Sequence, residues 1–354
     1  MTVATTQAAG EIRRVRAGVA LAVATAVTVA VALYAMATGQ NPVPVAQVVG
    51  SLLHHISIPI GPLPDQVGED TLWQVRIPRV YLALAVGAAL GCAGAVLQGI
   101  FANPLAEPGV IGVSSGAAAG ASGVIALGGL GAAGYFVAGG AFAAGLVTTA
   151  FVYLASRSAG RTQVVSLILT GIAVNAFAGG LIAFFTYRAT PAARDQIVFW
   201  QMGSLNRATM DQVLLVAVLV VVGLAVSMAM ARRIDLLALG EYTAGHLGVD
   251  VEKLRRAAVV VVALLTAAAV SFCGIILFVG LVVPHFMRLV VGPRHAVLIP
   301  ASAIAGACLL TAADLAARTV VPYGELPIGL VTSLVGGPVF LLLLRREMKR
   351  GGWL

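Results

Sequence analysis

Charge is the first thing this sequence lacks. Lysine and arginine number 22 and aspartate and glutamate 14 among 354 residues, so 10% of the chain is charged. A soluble domain carries about 25%. No polar stretch is long enough to build a large soluble domain, and one is excluded. Lysine is scarcer still. There are two, Lys253 and Lys349, and neither stands in a G-K-[ST] loop, so the chain has no Walker A segment to cradle nucleotide phosphates. Cys92, Cys273 and Cys308 all lie inside apolar runs, without C-x-x-C spacing or polar neighbours. They read as small buried side chains and not as a disulfide framework or a metal site. The net charge of +8 does not point to nucleic acid, because the basic residues are not interleaved with aromatics and sit at the ends of apolar runs.

What is present is apolar. Hydrophobic residues make up 60% of the chain and the mean hydropathy is +0.99, which places most of it in lipid. Charge-free windows delimit the spans: Ala17–Thr38, Val80–Ala102, Val110–Gly128, Gly134–Ser156, Val164–Tyr187, Gln212–Ala231, His295–Ala313 and Leu326–Leu344. The turn GGLGAAG divides the third from the fourth. A further uncharged run, Ala257–Met287, has 31 residues, too long for one ordinary span and too short for two full ones. Gly274 and Pro284 predict a full helix followed by a short one. Ala17–Ala37 exceeds the 7–15 residues typical of a signal-peptide core, so a retained first span is expected.

Both ends are rich in arginine and are therefore expected on the cytoplasmic side, which makes the number of crossings even. Counting the long run as two gives ten. Residues 1–16 and 345–354 become cytoplasmic tails around a membrane domain at 17–344. Residues 39–75 form a Pro-rich outer loop, and 232–256 a cytoplasmic segment. A polar outer segment from Arg188 to Asp211 includes a short interfacial helix at Ile197–Met202, with Trp200 at headgroup level. Sixteen of the 22 basic residues fall inside. The six outside are Arg76, Arg79, Arg188, Arg194, Arg207 and Arg318. Asp314, the acid within a span, lies four residues before Arg318, where a helix would pair the two.

The stretch from Arg76 to Ala118 organises the chain. It carries R-I-P-R, then G-A-x-L-x-x-x-G-A-x-x-Q-G, breaks at N-P-L-A-E-P-G, and restarts with G-V-S-S-G-A. Read physically, it is a spanning helix, a Pro/Gly turn at a membrane face and a second helix with serines near its start. The stretch closely resembles the signature of the FecCD-type permeases, membrane subunits of ABC importers for ferric siderophores, haem and cobalamin. Two later segments resemble the same family: Phe278–Arg288, F-V-G-L-V-V-P-H-x-x-R, and Glu325–Gly329, E-L-P-x-G. His285 reads as a structural hydrogen-bonding group, and His54-His55 as a solvated pair.

Between charged flanks, Leu236–Gly248 reads as a short helix bounded by glycines and too polar to span. It resembles the coupling helix of these permeases, G-E-x-x-A-x-x-L-G. Gly240, Glu241, Ala244, Leu247 and Gly248 match, with Leu239 just before them. Gly245 departs, since an arginine commonly stands there.

The resemblance implies the type II ABC importer permease fold: an all-α polytopic protein of the bacterial inner membrane with about ten transmembrane helices, working as a homodimer. It implies two ATPase subunits on the cytoplasmic face, which hold the ATP and Mg, and a substrate-binding protein outside. The chain itself would bind no cofactor and catalyse nothing. Arg76, Arg79 and Arg318 would receive acids of the binding protein; without the resemblance they read as interface anchors, as do Arg188, Arg194 and Arg207. Thr170, Asn175, Phe278 and Leu334 would line the path. The cargo is expected to be an iron chelate, ferric siderophore or haem, with cobalamin as the alternative. An ion-coupled secondary transporter is disfavoured by the shortage of acids in the spans.

Overall fold

Hydrocarbon offers backbone groups no hydrogen-bonding partner, so a chain this apolar must satisfy them within its own segments. The computed structural model, which describes residues 2–128, 134–158, 161–321 and 324–349, is accordingly helical. In chain order the helices are α1 (Thr2–Ala37), α2 (Val45–His55), α3 (Gln66–Thr71), α4 (Ile77–Ile100), α5 (Val113–Gly128), α6 (Gly134–Ala155) and α7 (Val164–Arg188). There follow α8 (Pro191–Met202), α9 (Met210–Leu237), α10 (Glu241–His246), α11 (Val251–Cys273), α12 (Val279–Val291), α13 (His295–Ala317) and α14 (Ile328–Lys349). A two-stranded hairpin, β1 (Arg157–Ser158) and β2 (Arg161–Thr162), joins α6 to α7. Among the described residues eight helical segments are long and apolar enough to cross a membrane, and two shorter apolar ones, α5 and α12, bring the number to ten. Most of the GGLGAAG turn, at 129–133, lies outside the described residues.

Helix α4 is the centre. It is buried on nearly every side, by α13, α9, α11 and α12. Apolar helices in lipid gain little from simple burial, and association depends on close backbone contact through small residues. The glycines of α4 supply it. A Cβ at Gly87 would stand 2.2 Å from the Gly306 carbonyl oxygen, at Gly91 2.1 Å from that of Ser302, and at Gly94 1.8 Å from that of Gly280. The Gly280 carbonyl is the one that Pro284, four residues on and lacking an N–H, cannot bond.

Three expectations change in detail. Pro284 lies inside α12 and does not begin it. The break in the 31-residue run is the segment from Gly274 (φ 71°) to Phe278 (φ 68°). At Gly274 a Cβ would meet the Trp200 carbonyl oxygen at 2.1 Å, so glycine is required both for space and for backbone angle. The outer loop is not irregular, since it contains α2 and α3. Asp65 caps α3 by accepting from the Gly68 N–H at 2.9 Å. Ser51 and Trp73 both donate to Glu69, at 2.7 and 3.0 Å. His55 stacks on Trp73 with centroids 3.9 Å apart while remaining exposed. The outer helix α8 begins at Pro191, six residues before the expected start, because Thr190 caps it and proline suits the first helical position.

Replacing Gly94 by alanine is expected to destabilise the protein by about 1–3 kcal/mol or more, because the backbones of α4 and α12 must separate. Gly139→Ala, on an open face of α6 with nothing within 4 Å, is the control. Thermal unfolding in detergent should separate the two variants, and equal melting temperatures would contradict the packing assigned to α4.

Candidate functional site

Two regions bear on function, one at each membrane face, with sidedness as the basic residues assign it. At the outer face Arg76, Arg79 and Arg318 are turned into the protein. Arg76 Nη1 donates to the carbonyl oxygens of Met36 and Ala37 at 2.9 and 3.1 Å, and Nη2 to that of Asn41. Arg318 Nη1 donates to the Thr38 carbonyl at 2.6 Å and Nη2 to that of Ala35. The last carbonyls of a helix lack intrahelical donors and carry partial negative charge, so two guanidinium groups close the end of α1. Arg79 grips Asp314 with Nε and Nη2 at 2.9 and 2.7 Å and also pairs with Glu325. The expected Asp314–Arg318 contact is present at 3.5 Å but is secondary to the one with Arg79.

In the single chain all three are engaged by the protein's own acceptors. Arg76 and Arg79 are 5% and 8% exposed, because acceptors on α1 and α13 lie within reach. The exposed outer arginines are instead Arg188, Arg194 and Arg207, around α8.

At the cytoplasmic face α10 is the short helix that the glycines announced. Gly240 (φ 99°) and Gly248 (φ 83°) bound it, each in a backbone region that other residues rarely adopt. Ala244 is buried in the main core and anchors the helix. Leu239, Tyr242 and Leu247 are 61%, 81% and 55% exposed, and Glu241 and Gly245 also face outward. A Cβ at Gly245 would meet nothing within 4 Å, so there is open space where the family commonly has an arginine. Tyr242, which the motif did not single out, packs its ring tilted against that of His246, with centroids 4.3 Å apart, and adds an aromatic to this surface. Asp250 begins α11 by accepting from the Lys253 N–H at 3.0 Å, which holds its carboxyl below the usual carboxylate range.

Of the four path residues, Asn175 and Phe278 are linked through the loop between α4 and α5. Asn175, midway along α7, accepts from the Ser115 hydroxyl at 2.6 Å and donates to the Gly109 carbonyl at 3.4 Å. The Phe278 N–H donates to Glu107 at 3.1 Å. The loop between α4 and α5 therefore touches α7 and α12 together. Glu107 was missed because an acid in a loop next to a span does not announce that the loop folds back on the helices. Phe278 lies over Gly336 of α14 and beside a cavity of about 300 Å³ lined by Val282, Leu309, Ala313, Val335 and Gly336. Thr170 is half-buried on α7, and Leu334 is 69% exposed on α14.

A model of the FecCD transport family matches residues 15–346. The chain belongs to the FecCD transport family. It is 42% identical over 276 residues to the cobalamin import system permease protein BtuC of Halobacterium salinarum, covering 78% of this chain and 73% of that one. It is 40% identical over 292 residues to the hemin transport system permease protein HmuU of Yersinia pestis, covering 80% and 87%. The vitamin B12 import system permease protein BtuC of Vibrio cholerae is 38% identical over 281 residues, covering 79% and 84%. A solved structure described as an inward-facing conformation of a metal-chelate type ABC transporter aligns with a TM-score of 0.81 at 32% identity, covering 92% of this chain and 98% of that one. As a FecCD member the chain is a non-catalytic, multi-pass permease of the metal-chelate ABC importers, a family that works with an ATPase and a substrate-binding protein.

Arg79→Met should cost about 3–5 kcal/mol, because it leaves the Asp314 carboxylate buried beside fewer donors. The double variant Arg79→Met/Asp314→Leu should recover part of the loss, and Arg194→Met should change little. Melting temperatures in detergent test this; an Arg79→Met protein as stable as the parent would contradict the outer cluster.

Proposed function

We propose that this FecCD permease carries cobalamin. The reading rests on the identities of 42% and 38% to permeases named for cobalamin or vitamin B12 import, from organisms as different as Halobacterium salinarum and Vibrio cholerae. It favours the alternative weighed in the sequence over the iron chelate placed first there. The second reading is haem, supported by the 40% identity to the Yersinia pestis hemin permease.

The chain works as a homodimer. Helices α7 and α14 support this, since they carry long exposed apolar faces, with Ile172 and Phe177 on one and Leu334, Leu341 and Leu342 on the other. Packed against a second copy, these faces would bury that surface and enclose a path beside Thr170, Asn175, Phe278 and Leu334. Two ATPase subunits, which hold ATP and Mg, grip the two copies of α10 at Leu239, Gly240, Glu241, Ala244, Leu247 and Gly248. Their closure changes the side to which the path opens. The binding protein delivers cargo at the outer face. Its carboxylates reach Arg188, Arg194 and Arg207 directly, but reach Arg79 only by displacing Glu325, and Arg76 and Arg318 only by releasing the end of α1. The amino-terminal residues 1–16 and the carboxy-terminal residues 345–354 lie in the cytoplasm.

Proteoliposomes containing the permease with its ATPase and binding protein should accumulate radiolabelled cyanocobalamin in an ATP-dependent manner, and not hemin or a ferric hydroxamate. Accumulation of hemin or the ferric chelate in place of cobalamin would overturn the assignment of cargo.

A further inference from the structure

A hydrogen-bonded line runs from α10 to the first residues of α7. Its outer end is Glu241 of α10, with a side chain 62% exposed. Glu241 accepts from Nη2 of Arg255, a residue of α11 that is 6% exposed. The same guanidinium donates from Nη1 to the carbonyl oxygen of Thr162 at 3.0 Å. Thr162 is the last residue of β2 and stands two positions before the start of α7. Glu252, one turn before Arg255 on α11, takes the other two polar groups of Thr162: the N–H at 3.1 Å and the hydroxyl at 2.6 Å. The Tyr153 hydroxyl donates to Glu252 at 2.7 Å, and Arg157 Nε lies 3.9 Å from it. Every hydrogen-bonding group of Thr162 is thus held by α11, and α11 is joined to α10 through the same arginine.

We infer that Glu241, Arg255 and Thr162 form the linkage through which movement of α10 reaches α7, so that Arg255 and Thr162 are positioning residues of the transport cycle. The inference rests on the reading of α10 as the ATPase-gripped helix. Three further observations carry it. Helix α7 is the least buried of the described spans, so its fastening at Thr162 governs where its cytoplasmic end sits. The line leads from an exposed carboxylate to a threonine that is 3% exposed, and so from the docking surface inward. Arginine can hold both acceptors at once because its planar fork presents several donors in fixed directions, which a lysine ammonium cannot reproduce. A link of this kind earns the word coupling only if both of its ends respond together and cutting it separates them.

Hydrogen–deuterium exchange of the full permease–ATPase complex, with and without ATP and Mg, provides the test. In the parent complex, peptides over 238–250 and over 161–175 should both change their exchange on nucleotide binding. In Arg255→Met the change at 238–250 should persist, while that at 161–175 is lost. ATP hydrolysis should continue, and cyanocobalamin uptake per ATP should fall at least about fivefold. Glu241→Gln removes the charge that Arg255 holds at the exposed end of the line, where folding is not at risk, and should weaken the change at 161–175 in the same direction. Arg255→Lys should restore less than half of the uptake lost in Arg255→Met. An unchanged response at 161–175 in both Arg255→Met and Glu241→Gln would overturn the linkage, even if Arg255→Met lowered the melting temperature. No response at 238–250 in the parent complex would instead overturn the reading of α10 itself.

Discussion

Nothing in hydrocarbon drives two apolar helices together, so this fold depends on backbones that come close enough to touch. Gly87, Gly91 and Gly94 bring α4 against carbonyl oxygens of α13 and α12, at separations that no side chain would permit. Polar groups then hold both ends of the same helix. Near its outer end Arg79 binds Asp314 of α13, and near its inner end Gln98 donates to the Leu281 carbonyl of α12 at 3.1 Å. The result is a frame of α4, α11, α12 and α13, in contrast to α7 and α14, which expose most of their surface within the single chain. A transporter needs that division: a part that keeps its shape and a part whose position can change.

Arginine performs the same task at both faces. At the outer end Arg76 and Arg318 close the carbonyls of α1, and at the inner end Arg255 bridges Glu241 and Thr162. In each case one guanidinium joins segments far apart in the chain, and in each case the acceptors include main-chain oxygens. A fork of fixed geometry suits this because its donors are already arranged before the contact forms. A charge count over the spans reads these residues only as topology markers and conceals their structural role.

Much of the architecture was legible because lipid leaves few options. Uncharged windows separated by arginines marked the spans, and Gly240 and Gly248 marked the short cytoplasmic helix, since the positive backbone angles there require glycine. The 31-residue run resolved as a long helix and a short one. Gly274 marked the start of the break, whereas Pro284 lies within the second helix, because proline is tolerated within a helix when the carbonyl it leaves free finds another neighbour, here Gly94. Helices α2 and α3 were hidden by the prolines around them. The burial of Arg76, Arg79 and Arg318 could not be read from a linear pattern, because Arg318 finds its acceptors some 280 positions away. Arg188, Arg194 and Arg207, which looked like plain anchors, are the outer arginines that remain exposed. Glu107 and Arg255 escaped for the same reason: their partners, Phe278 and Thr162, are neighbours only in the folded chain.

The central claim is that this permease holds no energy source of its own and is worked through α10 by an ATPase. It is tested most directly by reconstituting the chain with its binding protein, with and without the ATPase subunit, and measuring cargo accumulation under ATP or under an imposed proton or sodium gradient. The account predicts accumulation only when ATPase and ATP are both present. Accumulation driven by an ion gradient in the absence of the ATPase would contradict it.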